Sequence, residues 1–164
     1  LSMKGKKRQG STLPMVIVAI VLLVAMLGIM ASIVDTGQMQ TQRMYSYLKA
    51  KYIATSGSQL AWGALGEGAS SPLYAEFGRR AQDKEGRIPK DPIISTHTFK
   101  DGGKAEIEMN GSFEGDDRSP RNYVITIKSK STLANSKDYY EHVVIFNWET
   151  QGIRSEEGHL VSAK

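Results

Sequence analysis

The sequence predicts an α+β protein in which a long N-terminal α-helix packs on a small antiparallel β-sheet. Three observations predict this fold: an uncharged apolar block near the N-terminus, a proline-free amphipathic stretch that follows it, and strand-like segments with alternating apolar residues in the second half. The expected parts are a basic leader (1–10), a long helix (11–65), a connector (66–101), the sheet (102–149) and a polar tail (150–164).

The apolar block from Leu13 to Val34 is long enough to cross a membrane. It has 22 residues without a charge, and at about 1.5 Å per residue a helix of that length spans about 33 Å, against about 30 Å of hydrocarbon in a bilayer. Four basic residues lie between Lys4 and Arg8, and the first acidic residue is Asp35, so we expect the N-terminus in the cytoplasm and the C-terminal part outside. A cleaved secretory signal is disfavoured because its apolar core has only about 7 to 15 residues.

The net positive charge comes from the leader. The chain has 21 Lys and Arg against 17 Asp and Glu, and the four basic residues of positions 1–10 account for the whole excess. A further basic cluster at residues 79–87 is interleaved with Asp83 and Glu85 and has no aromatic stacking platform, so it is interpreted as a solvated helix face. We therefore expect no nucleic-acid partner.

The long helix is expected to continue beyond the apolar block. No proline occurs between residues 36 and 65, and bulky residues at i, i+4 spacing form a slowly drifting apolar stripe. Small residues between Ala54 and Ala61 would let a sheet or a neighbouring backbone come close, and Gly66 and Gly68 predict the end of the helix. The stripe consists of Met44, Leu48, Tyr52, Ile53, Leu60, Ala61 and Ala64.

The second half of the chain predicts a short helix and three strands. Prolines exclude long elements from the connector, except for a short helix at Leu73–Gln82. Period-two alternation at Lys104–Phe113, Tyr123–Thr132 and Tyr139–Trp148 predicts an antiparallel meander whose apolar face covers the C-terminal half of the long helix. The tail, residues 150–164, is expected to be a mobile tail or a short edge element.

Few residues carry recognisable chemistry. There is no cysteine, and the spacing of His97, His142 and His159 does not resemble a zinc site, so packed or solvent-exposed histidines are expected. No nucleophile elbow, phosphate-binding loop or dinucleotide fingerprint occurs, so we expect neither catalysis nor a cofactor.

One weak metal candidate is a set of oxygen-bearing side chains that precede the second strand. Such oxygens can hold calcium, but the spacing is not that of an EF-hand, and an acidic hairpin turn is the favoured alternative. The four residues are Asn110, Glu114, Asp116 and Asp117.

The basic leader ending in Gly10, followed by the Ser11-Thr12-Leu13-Pro14 opening of the apolar block, resembles the class III leader of type IV pilins and pseudopilins. The resemblance implies a pilin-like fold and cleavage between Gly10 and Ser11 by a prepilin peptidase on the cytoplasmic side. It also implies that the apolar helix is first a membrane anchor and then packs against other pilin subunits when the assembly machinery builds a filament.

The resemblance is closer to minor subunits than to major pilins. Major pilins carry a glutamate five residues after the cut, where this chain has Met15, and minor pilins of the PilX type and the tip pseudopilin of type II secretion also lack it. The opening run resembles that of Gram-positive minor pilins. These features imply an assembly helix that includes Pro14, Met15 and Gly28, in a subunit at the filament tip or at its initiation. Ser11 leaves N-methylation open, and adhesion, motility, secretion and DNA uptake all remain compatible roles.

Two other interpretations remain. The chain would be a permanently anchored extracytoplasmic binding or scaffold module if the leader is never removed. An anchored hydrolase is the third interpretation, although the sequence has no visible site for it.

Overall fold

The computed structural model describes residues 12–115 and 122–164 and confirms the predicted α+β fold. A long N-terminal helix precedes a five-stranded antiparallel sheet. The elements are α1 (Thr12–Gly66), a 3-10 turn (Gly68–Ser70), α2 (Pro72–Gln82), β1 (Ile93–Thr98), β2 (Lys104–Glu114), β3 (Asn122–Thr132), β4 (Tyr139–Asn147) and β5 (Gly152–Val161).

Helix α1 runs without interruption over 55 residues and belongs to two compact units, which divide after Met44. The described part of the first unit is helical throughout and begins with Pro14 in the first turn, where its missing N–H leaves no hydrogen bond unmade. The second unit holds the rest of α1 and all other elements. The helix ends as the glycines predict, and Gly68 takes the left-handed conformation with φ of 70°.

The sheet of the second unit is a simple meander in which β1 to β5 lie side by side in chain order. Burial alternates along β2, β3 and β4, because one face packs against α1 and α2. The main core cluster consists of Ile53, Ala61, Leu65, Phe77, Ala105, Ile107, Met109, Tyr123, Ile125, Ile127, Val144 and Phe146.

The sheet is larger than the sequence predicts, since it spans residues 93–161 rather than 102–149. The additional strand β1 lies in the expected connector and pairs with β2 from Ile93↔Met109 to Thr98↔Lys104. The additional strand β5 forms most of the expected tail and pairs with β4. Both are edge strands with mostly exposed side chains, so their backbone hydrogen bonds to β2 and β4 form them without a period-two apolar pattern.

Mostly small side chains form the face of α1 that lies on the sheet. A Cβ atom at position 57 would lie 2.5 Å from Ser129 Oγ and 2.8 Å from Ala105 Cβ, closer than real Cβ atoms approach other atoms. Glycine at this position therefore lets the helix backbone approach β2 and β3. The buried residues of this face are Ala50, Ile53, Ala54, Gly57, Ser58, Ala61 and Leu65.

The apolar stripe predicted from the bulky residues does not coincide with this face. Ile53 and Ala61 are buried as core residues, whereas Leu48 is 52% exposed and Tyr52 is 71% exposed. Leu48 and Tyr52 lie on the opposite side of the helix from Gly57, where the close approach to the sheet leaves no room for a side chain.

Two tyrosines on the same face of the sheet each cover a glycine on the adjacent strand. The Tyr123 hydroxyl lies over Gly111, and the Tyr140 hydroxyl lies over Gly158. This placement shields the bare backbone of each glycine. Burial raises the pKa of both tyrosines above the ordinary value of 10.0.

We predict that Gly57→Ala destabilises the second unit by about 1–3 kcal/mol, the usual cost of overpacking a core, even though alanine favours a helix by about 1 kcal/mol. The free energy of unfolding, measured by denaturant titration of the full chain in detergent micelles, checks this. The matched control is Gly63→Ala in the same helix, where a Cβ atom would meet nothing within 4 Å, so a small stabilisation is expected. Equal stabilities of the two variants would contradict the close packing at Gly57.

Candidate assembly surface

In the first unit, α1 exposes an apolar surface on all sides. Every large apolar side chain from Leu13 to Val34 is more than half exposed, and Met15 is 75% exposed. By its length and composition, α1 could cross a membrane, and among the described residues it is one helix that meets this test. A Cβ atom at Gly28 would meet nothing within 4 Å, so the surface there is open to a close neighbour. The processing residues Gly10 and Ser11 lie outside the described residues.

In the second unit, α1 continues to expose large apolar side chains. Tyr45 is 68% exposed, and Leu48 and Tyr52 follow on the same side of the helix at spacings of three and four residues. We call these three residues the outer stripe. An ordinary surface helix turns its bulky apolar residues inward, whereas here mostly small residues face the sheet and the outer stripe faces solvent. Exposed apolar patches are typical of interaction surfaces, so the outer stripe is a candidate one.

A hydrogen-bond network centred on the buried His142 ties α1 to the edge strand β5. His142 of β4 is 5% exposed, and its Nδ1 lies 2.5 Å from Ser58 Oγ of α1, while its Nε2 lies 2.9 Å from Glu156 Oε1 of β5. The Ser58 hydroxyl donates to the Thr55 carbonyl at 2.8 Å, so its oxygen can accept from His142 Nδ1. His142 therefore links three separate elements of the second unit.

The same three residue types form the triad of serine hydrolases, in which the serine must be reachable by a substrate carbonyl. Ser58 is fully buried within α1 and faces the sheet. This burial keeps its hydroxyl away from a substrate carbonyl in the structure. Sequence reasoning missed the network, because its members lie on a helix, a strand and the expected tail. The one available signal was that His142 alternates with Tyr140 and Val144 on the buried face of β4.

The calcium candidate is only partly described. Asn110 and Glu114 lie on β2, and Asp116 and Asp117 lie outside the described residues. Both carboxylate oxygens of Glu114 accept from Arg154 Nη1 at 2.6 Å, so this carboxylate already has a cationic partner. Within residues 12–115 and 122–164, no group of three or more potential metal-ligating His, Asp or Glu side chains occurs.

The basic cluster at residues 79–87 is largely paired with acids of its own segment. Arg79 and Arg80 both contact Glu76, and Arg87 contacts Glu85. The hydrogen bonds from Arg79 and Arg80 lower the pKa of the Glu76 carboxyl. The helix face expected from the sequence is only partly present, because α2 ends at Gln82 before Lys84 and Arg87, and the Arg80 side chain is only 13% exposed.

The long apolar N-terminal helix on an antiparallel sheet is a pilin-like architecture. Comparison with models of known protein families finds no match, and a search of curated protein sequences finds none either.

We predict that Ser58→Ala destabilises the protein by about 1–3 kcal/mol, because it leaves Nδ1 of the buried His142 without its partner. Denaturant titration of the full chain in micelles measures the loss. The matched control is Ser129→Ala, since Ser129 is equally buried but its Oγ has no hydrogen-bond partner among the described residues, and its removal should be neutral or stabilising. A similar loss in both variants would show that the network contributes nothing specific.

Proposed function

We propose that this chain is a minor pilin or pseudopilin subunit, cleaved after Gly10 by a prepilin peptidase and assembled into a type IV pilus or a related filament. The observation that carries the proposal is that one unbroken helix exposes apolar side chains both along a membrane-length segment and along the outer stripe beyond it. Before assembly the subunit lies in the cytoplasmic membrane with its N-terminus inside. After assembly it lies in an extracellular filament.

The two parts of α1 contribute differently to assembly. Lipid covers the membrane segment as well as another helix does, so packing at small residues such as Gly28 must favour helix association there. The outer stripe is exposed to water, where full burial of a leucine side chain yields about 1.5–3 kcal/mol. Leu48 and its neighbours therefore supply a hydrophobic driving force for association that the membrane segment lacks.

Met15 supports a position at the tip or at initiation. A carboxylate buried among apolar helices costs several kcal/mol unless a partner neutralises it. A methionine at this position needs no such partner, so a subunit with no neighbour beyond it incurs no penalty. The partners implied are other pilin subunits, the assembly machinery, the prepilin peptidase and the membrane.

A permanently anchored extracytoplasmic module is the alternative, and processing distinguishes it. We predict that co-expression with a cognate prepilin peptidase shortens the chain by the ten leader residues, about 1 kDa, and that Gly10→Ala blocks most of this cleavage. Mass spectrometry of the intact protein and of its N-terminus measures both. Recovery of the uncleaved chain from cells in which companion pilins are cleaved would favour the permanent anchor.

A second prediction concerns the outer stripe. Leu48→Glu should lower incorporation into sheared filaments about tenfold, because it replaces about 1.5 kcal/mol or more of apolar burial by a charge. Immunoblotting of the filament and membrane fractions measures the ratio. The matched control is Ala69→Glu, which adds the same charge at an exposed position of the 3-10 turn. Unchanged incorporation of Leu48→Glu, with the thermal stability of both variants intact, would remove the outer stripe from the assembly surface.

A further inference from the structure

Strand β2 contains a three-residue pattern that the filament role does not use. Asn110, Gly111 and Ser112 form the sequence Asn-X-Ser, which is the acceptor pattern for N-linked glycosylation when X is not proline. The chain has four asparagines, at positions 110, 122, 135 and 147, and Asn110 is the one with serine or threonine two residues later. A transferase must be able to reach this pattern, so its placement on the sheet decides whether it can act as an acceptor.

The asparagine and the serine of the pattern lie on the outer face of the sheet, which is the face turned away from α1. Successive side chains of a strand point to opposite faces, so Asn110 and Ser112 share one face. Both are exposed, whereas Met109 and Gly111 between and beside them are buried on the other face. Among the described residues, the Asn110 carboxamide has no hydrogen-bond partner. Its nitrogen is therefore accessible, and no bond within the protein has to break to release it.

Strand β2 is paired on one side only at this point. Strand β1 begins at Ile93, which pairs with Met109, and β2 continues beyond this pair to Glu114. From Asn110 onwards, β2 has β3 as its strand partner, with Asn110 opposite Thr126. Local opening at such a position breaks fewer backbone hydrogen bonds than opening in the middle of the sheet. The acceptor pattern therefore lies where the strand can most easily enter the binding site of an enzyme.

A polar depression surrounds the two side chains on the outer face. Its volume is about 140 Å³, and Glu108, Thr126 and Lys128 line it together with Asn110 and Ser112. These three neighbours provide a carboxylate, a hydroxyl and an ammonium group, which can accept hydrogen bonds from sugar hydroxyls or donate to them. A sugar attached to Asn110 thus meets hydrogen-bonding groups rather than an apolar surface.

We propose that Asn110 is an acceptor for N-linked glycosylation and receives an oligosaccharide from a lipid-linked sugar diphosphate outside the cytoplasm. In the transfer, Asn110 Nδ2 forms a bond to the anomeric carbon of the first sugar while the bond from that carbon to the diphosphate oxygen breaks. The lipid diphosphate leaves, and the proton lost from Nδ2 goes to a base of the transferase. The Ser112 hydroxyl, on the same face, is the group by which the transferase selects this asparagine.

This modification goes beyond the filament role and is compatible with it. It requires only that the second unit lies outside the cytoplasm, which the filament subunit and the permanently anchored module have in common. A glycan is bulky and hydrophilic and stays at the protein surface. The outer stripe lies on the side of α1 away from the sheet, so a glycan on the outer face of the sheet leaves the outer stripe uncovered.

The test expresses the full chain in bacteria that contain an N-oligosaccharyltransferase and its lipid-linked oligosaccharide. Mass spectrometry of the protein purified in detergent, and of its peptides, should show a mass increase of one oligosaccharide at Asn110. Asn110→Gln and Ser112→Ala should lose the whole increase, because they remove the acceptor asparagine and the selecting hydroxyl. Ser112→Thr is the matched control and should keep the increase, since threonine retains the hydroxyl. A mass increase that persists in Asn110→Gln would overturn the proposal.

A second acceptor makes a negative result decisive. Lys137→Thr completes the acceptor pattern at Asn135, in the exposed turn between β3 and β4, and should add a second oligosaccharide. Glycosylation of this variant at Asn135 with Asn110 unmodified would overturn the proposal. Modification of neither asparagine, while a reporter peptide in the same cells is glycosylated, would overturn it too. When a prepilin peptidase is co-expressed, the same spectra show whether residues 1–10 are removed, so failure of glycosylation and failure of processing are distinguished.

Discussion

The close contact between α1 and the sheet at Gly57 determines how the rest of the second unit is arranged. Its backbone lies so near Ser129 and Ala105 that no side chain fits at this point of the helix. The inner face of α1 therefore consists mainly of small residues, with Ile53 and Leu65 as its large core side chains, and the sheet and α2 supply most of the bulky core, as with Ile125 and Phe77. Tyr45, Leu48 and Tyr52 lie on the outer side, so the helix has an apolar surface on both sides.

The sequence predicts the elements in which side chains alternate between a buried and a more exposed face. Strand β4 alternates between buried and half-buried residues along its whole length, and this period of two identifies it without a structure. Strands β1 and β5 lack this signal because their side chains are mostly exposed and the pairing of their backbones forms them. The small residues between Ala54 and Ala61 predict a helix face that a sheet can approach, and the contact at Gly57 confirms it. The exposure of Leu48 and Tyr52 on the opposite side was not predicted, since an apolar stripe more often packs in a core.

The candidate residues also fall into two groups, those that local sequence identifies and those whose contacts depend on tertiary packing. Hydropathy alone identifies the apolar segment with Pro14, Met15 and Gly28, because a membrane-length helix depends on local sequence. His142 was expected to be a packed or solvent-exposed residue, and its contacts with Ser58 and Glu156 depend on the register of β4 with β5 and on the rotation of α1. No spacing in the sequence encodes those two quantities. The processing residues lie outside the described part of the chain, so their assignment still rests on the resemblance to class III leaders.

Under the proposed filament role, the outer stripe and the membrane segment would face different solvents, and this difference would explain why an assembling subunit needs both. A helix that is apolar only within lipid has little reason to leave it, because hydrocarbon chains cover its surface as well as protein does. A helix with Tyr45, Leu48 and Tyr52 exposed to water has an unfavourable apolar surface as long as it stays alone. Association with a second apolar surface removes this cost only outside the membrane. In the proposed assembly, the outer stripe would therefore favour contact between subunits before the membrane segment is withdrawn, and the free energy gained there would offset part of the cost of withdrawal.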